Sequence, residues 1–190
     1  MSTETIALKE WAAAIKALED GTQILIMRKG GIVEETKAFT LKSRSFYLYP
    51  TYEHQQKVLL QDKYHPYLEE TLKGWTPDDR TVTITSRAEV EEDLEVFEAE
   101  ELEKLKGFHI GTDRFAEERL KWKRKNPLHL LLLRVYKLDE PLEIPVKPEY
   151  NGCRSWIGLD VELSGRAEKP VLDEEAFRKR MAEIRRAIGR

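Results

Sequence analysis

Apolar positions recur along the chain with two different periods, and the switches between them divide it into elements. Leu8, Trp11, Ala12, Ile15 and Leu18 repeat at helical spacing and predict a helix over residues 5–19. Ser2, Thr3 and Thr5 offer caps, and Asp20-Gly21 stops it. Thr22–Arg28, TQILIMR, is almost continuously apolar and predicts a buried strand, broken by Lys29-Gly30-Gly31. Residues 37–49 alternate, with Phe39 and Leu41, then Phe46 and Leu48, on one side. Pro50 cannot donate to a ladder, so the strand is expected to end there, with Thr51 capping a helix from Tyr52.

The second half follows the same logic. A short helix is expected from Pro66 to Gly74, and RTVTITS at 80–86 alternates strictly enough for a strand. Val90, Leu94 and Val96 predict another strand over 88–97, despite the acids between them. Residues 98–106 read as a short helix closed by Gly107, and Thr112 or Asp113 caps a helix running to about Trp122. LHLLLLRVY at 128–136 predicts a central strand, because only a strand covered on both faces tolerates so many leucines. Pro141 and Pro145 flank an edge segment, and Asn151-Gly152 turns the chain into a strand over 154–163. Asp173 caps a last helix, at 173–188, with Phe177, Met181, Ile184 and Ile188 on one face. Strands and helices mix without strict alternation, which predicts an α+β fold: a single domain over 1–190, with a twisted mixed sheet or small barrel flanked by helices.

Composition supports a packed core: 41% of the 190 residues are hydrophobic and 35% charged. The net charge of −3 gives no global field towards DNA or a membrane. A single cysteine, Cys153, forbids an intrachain disulfide and fits a reducing compartment. The N-terminus has no signal-peptide pattern, and no apolar run, Leu130 to Leu133 included, is long enough to span a bilayer. A cytoplasmic protein without membrane association is expected.

Charge is blocky. Residues 89–103 hold nine carboxylates, and residues 119–125, RLKWKRK, hold five cations around Leu120 and Trp122. Arg119, Lys121, Trp122 and Lys123 are therefore candidates for nucleic-acid contact, with cations meeting phosphates and an indole stacking on a base. A solvated helix end accounts for the same pattern. FYLYPTYEHQQ at 46–56 places Tyr49 at a strand end and His54 and Gln55 in the first turn of the expected helix, where an anion could sit. Arg28 and Lys29 beside paired glycines form a second candidate anion site, without the spacing of a P-loop. No histidine or cysteine pair has metal-ligand spacing, and neither a metal nor another cofactor is implied. A metal-dependent nuclease or hydrolase using scattered carboxylates, and a protein-interaction module, remain alternatives.

The ordered strings LKEWAAAIKALEDG, ILIMRKGGIVEE, FYLYPTYEHQ, FHIGTDRF, LLLRVYKL and EYNGCRSWIGL resemble an uncharacterised bacterial family, domain of unknown function 1802, over about residues 6–163. The resemblance brings no established catalytic residues. It implies a setting near restriction–modification, since some relatives are joined to a restriction-endonuclease-like domain. DNA or RNA, or a partner protein of such a system, are the partners it suggests. It also draws attention to Arg154 and Trp156 in the last string, as one surface with Arg28, Lys29, Tyr49, His54 and Gln55. The order of elements from Arg80 to Leu163 loosely resembles the PUA-like barrels that bind RNA or modified bases, a likeness at fold level.

Overall fold

A computed structural model describes residues 4–29, 39–121 and 126–190. Among these, β1 (Thr5–Trp11), β2 (Leu25–Arg28), β3 (Ser45–Thr51), β4 (Thr81–Val96), β5 (Leu128–Pro145), β6 (Trp156–Leu159) and β7 (Glu168–Pro170) share one sheet. Its order is β2-β5-β4-β3-β1-β6, with β7 pairing β5 beside β2. β1 and β3 run parallel, and the other pairs are antiparallel. Five helices flank it: α1 (Ala12–Glu19), α2 (His65–Leu72), α3 (Ala99–Glu103), α4 (Asp113–Lys121) and α5 (Glu174–Ile188). The fold is α+β, and the sheet is mixed, twisted and unclosed.

The leucine run of β5 organises the core. Leu131, Leu133 and Val135 join one cluster with Leu8, Phe46, Leu48 and Trp156, and α1 adds Ile15 and Leu18. Leu128, Leu130 and Leu132 face the other way, against Leu102 of α3, Ala116 of α4 and Phe177, Ile184 and Ile188 of α5. The period of two sends successive leucines to opposite faces, and both faces are covered. On α5, Asp173 caps the start by accepting from the Ala176 amide at 2.7 Å, and Gly189 closes the end at φ 76°. Burying each large apolar side chain of its inner face contributes about 1.5–3 kcal/mol.

The structure corrects the sequence reading at several places, among them β5, which runs on from the leucines through Pro141 to Pro145 as one strand, and β6, which is shorter than the expected 154–163. Residues 5–11 form a strand, and only 12–19 are helical. β1 is held by two distant partners, Tyr47–Thr51 on one side and Trp156–Leu159 on the other. β3 runs through Pro50, because β4 pairs only with Ser45–Tyr47 and leaves Pro50 a neighbour on one side alone. No helix starts at Tyr52; the Thr51 hydroxyl donates to the Glu10 carbonyl at 3.1 Å, and Glu53 and His54 form a turn. The two strands expected over 80–97 are one long β4, with register shifts between Ile84 and Ser86 and between Val90 and Glu92.

Candidate functional site

β2 and β6 are the two ends of the strand order, and no ladder joins them. Side chains do. Arg28, the last residue of β2, donates from Nη2 to Ser155 Oγ at 2.6 Å, just before β6. Its Nη1 reaches the Lys9 carbonyl at 3.2 Å and Glu10 Oε2 at 3.4 Å on β1. Phe39 stacks on Trp156 with centroids 6.0 Å apart and tilts against His129 of β5 at 5.3 Å. The Trp156 indole N–H donates to the Thr40 carbonyl at 2.9 Å. Strand alternation explains the meeting: Glu10 shares a face with Leu8, and Arg28 with Ile26, and those two apolar residues belong to one cluster.

The charge balance at this corner is uneven. Arg28 and Glu10 are 8% and 7% exposed. Glu10 Oε1 also accepts from the Trp11 amide at 2.8 Å, while Arg28 Nε has no partner. Arg119 of α4 lies over the Phe115 ring at 4.9 Å and donates to the Met27 carbonyl at 3.4 Å. Burial lowers the Arg119 pKa; the Glu10 carboxylate opposes this, and the Arg28 charge adds to it. Lys29 is buried too, its Nζ donating to the Leu120 carbonyl at the end of α4, and burial lowers its pKa. Arg28 and Arg119 therefore stand where, among the described residues, Glu10 is the carboxylate that reaches the guanidinium groups, and Lys29 is tied off nearby at the end of α4. Uncompensated charge in a poorly solvated place is costly.

The remaining candidates are spread around this corner. Lys121 is exposed and pairs with Glu117 at 3.3 Å. Trp122 and Lys123 lie outside the described residues. Tyr49 is buried in a separate cluster, edge-on to Tyr150 at 5.9 Å, and burial pushes its phenol up to about 12. Trp156 is core. Gln55 Oε1 accepts from the Ala13 amide at 2.8 Å and so caps α1, while its buried Nε2 has no partner. His54 and Arg154 are exposed. Arg154 stands near Lys9, whose Nζ donates to the carbonyls of Tyr150 and Gly152 at 2.7 and 2.8 Å. Alternation puts Lys9 on the opposite face of β1 from Glu10. The candidates that converge are thus Arg28, Lys29 and Arg119. Glu10 and Ser155 join them unforeseen, because the helical reading of residues 5–19 hid the strand that aims Glu10 inward.

The sequence model of a family described as Domain of unknown function (DUF1802) matches residues 7–183. The chain belongs to this family. No curated protein and no solved structure matches it.

Two further features of this DUF1802 chain frame the corner. A small cavity of about 30 Å³ lies beside it, lined by Glu10, Trp11, Met27, His109 and Phe115 among others. Burial depresses the His109 pKa to about 4, so the ring is neutral, and its Nδ1 accepts from the Gly111 amide at 3.1 Å. Ion pairs within the chain absorb much of the charge blocks. Glu91 and Glu174 meet Arg134, Glu92 meets Arg185, Asp93 meets His129 and Glu101 meets Arg190. Much of the acidic block and of the basic face of α5 is therefore turned onto neighbours within the chain. Among the described residues, no three His, Cys, Asp or Glu side chains gather in a metal-holding group, and no helix is long and apolar enough to cross a membrane.

Proposed function

We propose that this DUF1802 protein is a nucleic-acid-associated binding or accessory module, serving a restriction–modification or other defence system. The observation that carries this reading is the pair Arg28 and Arg119 sharing Glu10 as counter-charge, with Lys29 close by against the end of α4. A polyanion would supply the missing negative charge, and its binding would release counterions. Lys121, exposed at the end of α4 and paired with Glu117, adds a further cation near the corner. The restriction–modification setting comes from the family resemblance, not from the geometry. A metal-dependent nuclease has no residue set to rest on among the described residues.

The test is fluorescence anisotropy with labelled single- and double-stranded DNA and RNA at two salt concentrations. Salt-sensitive binding that weakens in a Lys121→Ala, Lys123→Ala variant supports the proposal, and the preferred strand type separates stacking from groove recognition. Absence of binding to all four probes at low salt overturns it.

A further inference from the structure

We infer that the corner between Arg28, Arg119 and Ser155 is a seat for a tetrahedral oxyanion, the phosphate of the bound nucleic acid; this rests on the proposed function and names the group that is recognised. A guanidinium offers five N–H donors in a rigid fork. Arg28 meets three acceptors, namely Ser155 Oγ, the Lys9 carbonyl and Glu10 Oε2. Its Nε meets none, although the residue is 8% exposed. Arg119 has one long contact, 3.4 Å to the Met27 carbonyl. Native chains rarely bury a donor of a charged group without an acceptor, and the cost is highest for charged groups.

The chemistry of the missing group follows from the charge count. Among the described residues, Arg28 and Arg119 face the one carboxylate of Glu10, an excess of positive charge that a phosphodiester would neutralise. The unpartnered Nε of Arg28 and the lightly engaged guanidinium of Arg119 are the donors such a phosphate would meet, in the charge-assisted hydrogen bonds that arginine forms with phosphate oxygens. Ser155 Oγ accepts from Arg28, which leaves its hydroxyl proton to donate. Glu10 fixes the Arg28 fork, and partly exposed Arg119 forms the open side of the seat. Phe115 holds the Arg119 plane in place from beneath.

The experiment compares the whole chain with Arg119→Gln and Ser155→Ala, with exposed Lys179→Gln as control. Thermal unfolding is followed against sodium phosphate and against sodium chloride at equal ionic strength. Binding of a labelled single-stranded oligonucleotide is measured alongside. At ten times its Kd, phosphate is expected to raise the Tm of the unaltered chain by about 3–5 °C. The rise should vanish in Arg119→Gln, shrink in Ser155→Ala and persist in Lys179→Gln, with oligonucleotide affinity about tenfold lower in Arg119→Gln. If phosphate does nothing beyond chloride and Arg119→Gln binds the oligonucleotide as tightly as the unaltered chain, the seat is refuted while nucleic-acid binding stands. A phosphate response equal in all four proteins refutes it as well. A response lost in Arg119→Gln, in a chain that binds no oligonucleotide, upholds the seat for a small phosphate and removes nucleic acid as the ligand.

Discussion

Replacing Glu10 with glutamine removes one negative charge and the acceptor of Arg28 Nη1 while keeping the side chain's size. The glutamine carbonyl still accepts from the Trp11 amide, as Glu10 Oε1 does at 2.8 Å, so the local backbone contact survives. What disappears is the counter-charge of Arg28 and Arg119. Removing one partner of a buried ion pair costs about 3–5 kcal/mol. The Arg28 Nη1 to Glu10 Oε2 distance is 3.4 Å, long for a charged pair, so the lower end applies, about 3 kcal/mol. With a urea m-value of about 3 kcal/mol/M for a chain of this size, the midpoint should fall by about 1 M at unchanged m. Phosphate should then restore more stability to Glu10→Gln than to the unaltered chain, since the variant has more charge to neutralise. A variant within about 0.5 kcal/mol of the parent, a difference typical of a neutral surface substitution, would show that Glu10 is not the counter-ion and that the corner is not under electrostatic load.

Three further outcomes are expected. The His109 pKa of about 4 lies below the usual 6.5, so the unfolded chain binds the extra proton; stability should fall as pH drops from about 6.5 to about 4, by about 3 kcal/mol in all. His129, whose pKa is raised by its hydrogen bond to Asp93, acts in the opposite sense, so the comparison of urea midpoints with His109→Asn isolates the His109 contribution, and parallel pH profiles would refute it. Gly111→Ala would place a Cβ 2.6 Å from the Phe115 ring and 3.1 Å from His109 Nδ1. It should cost about 1–3 kcal/mol in urea unfolding and weaken the phosphate response through the displaced Phe115–Arg119 stack. Phe177→Ala should cost about 3–5 kcal/mol, whereas Arg185→Ala, removing a surface pair with Glu92, should cost about 1 kcal/mol or less; equal losses by calorimetry would mean that charge rather than burial holds α5.

The sequence was most legible where burial is two-sided or capping is local. β5 follows from its unbroken leucines, α5 from Asp173 and its apolar stripe, and the start of α4 from Thr112, whose hydroxyl accepts from the Phe115 amide at 3.2 Å. It was least legible where a distant strand decides. Leu8, Trp11, Ile15 and Leu18 fit one helical stripe, yet Ile6, Leu8 and Glu10 also alternate, and pairing with β3 and β6 settles the choice. That one local ambiguity also concealed Glu10, since a helix would not have aimed it at Arg28. Arg28, Lys29 and Arg119 stood out by type, but their convergence depends on β2 and α4 packing side by side. FYLYPTYEHQQ illustrates the converse: its residues look like a single site, yet Tyr49 is buried, Gln55 caps α1 and His54 faces solvent.

The most direct measurement is the affinity for a labelled single-stranded oligonucleotide as a function of salt, for the unaltered chain and for Arg119→Gln. Each phosphate contact to a single strand contributes about −0.7 to the slope of log K against log salt. The account predicts a negative slope for the unaltered chain that becomes shallower by about 0.7 in Arg119→Gln, together with weaker binding. Identical slopes and affinities for the two proteins, or no binding at low salt, would contradict it.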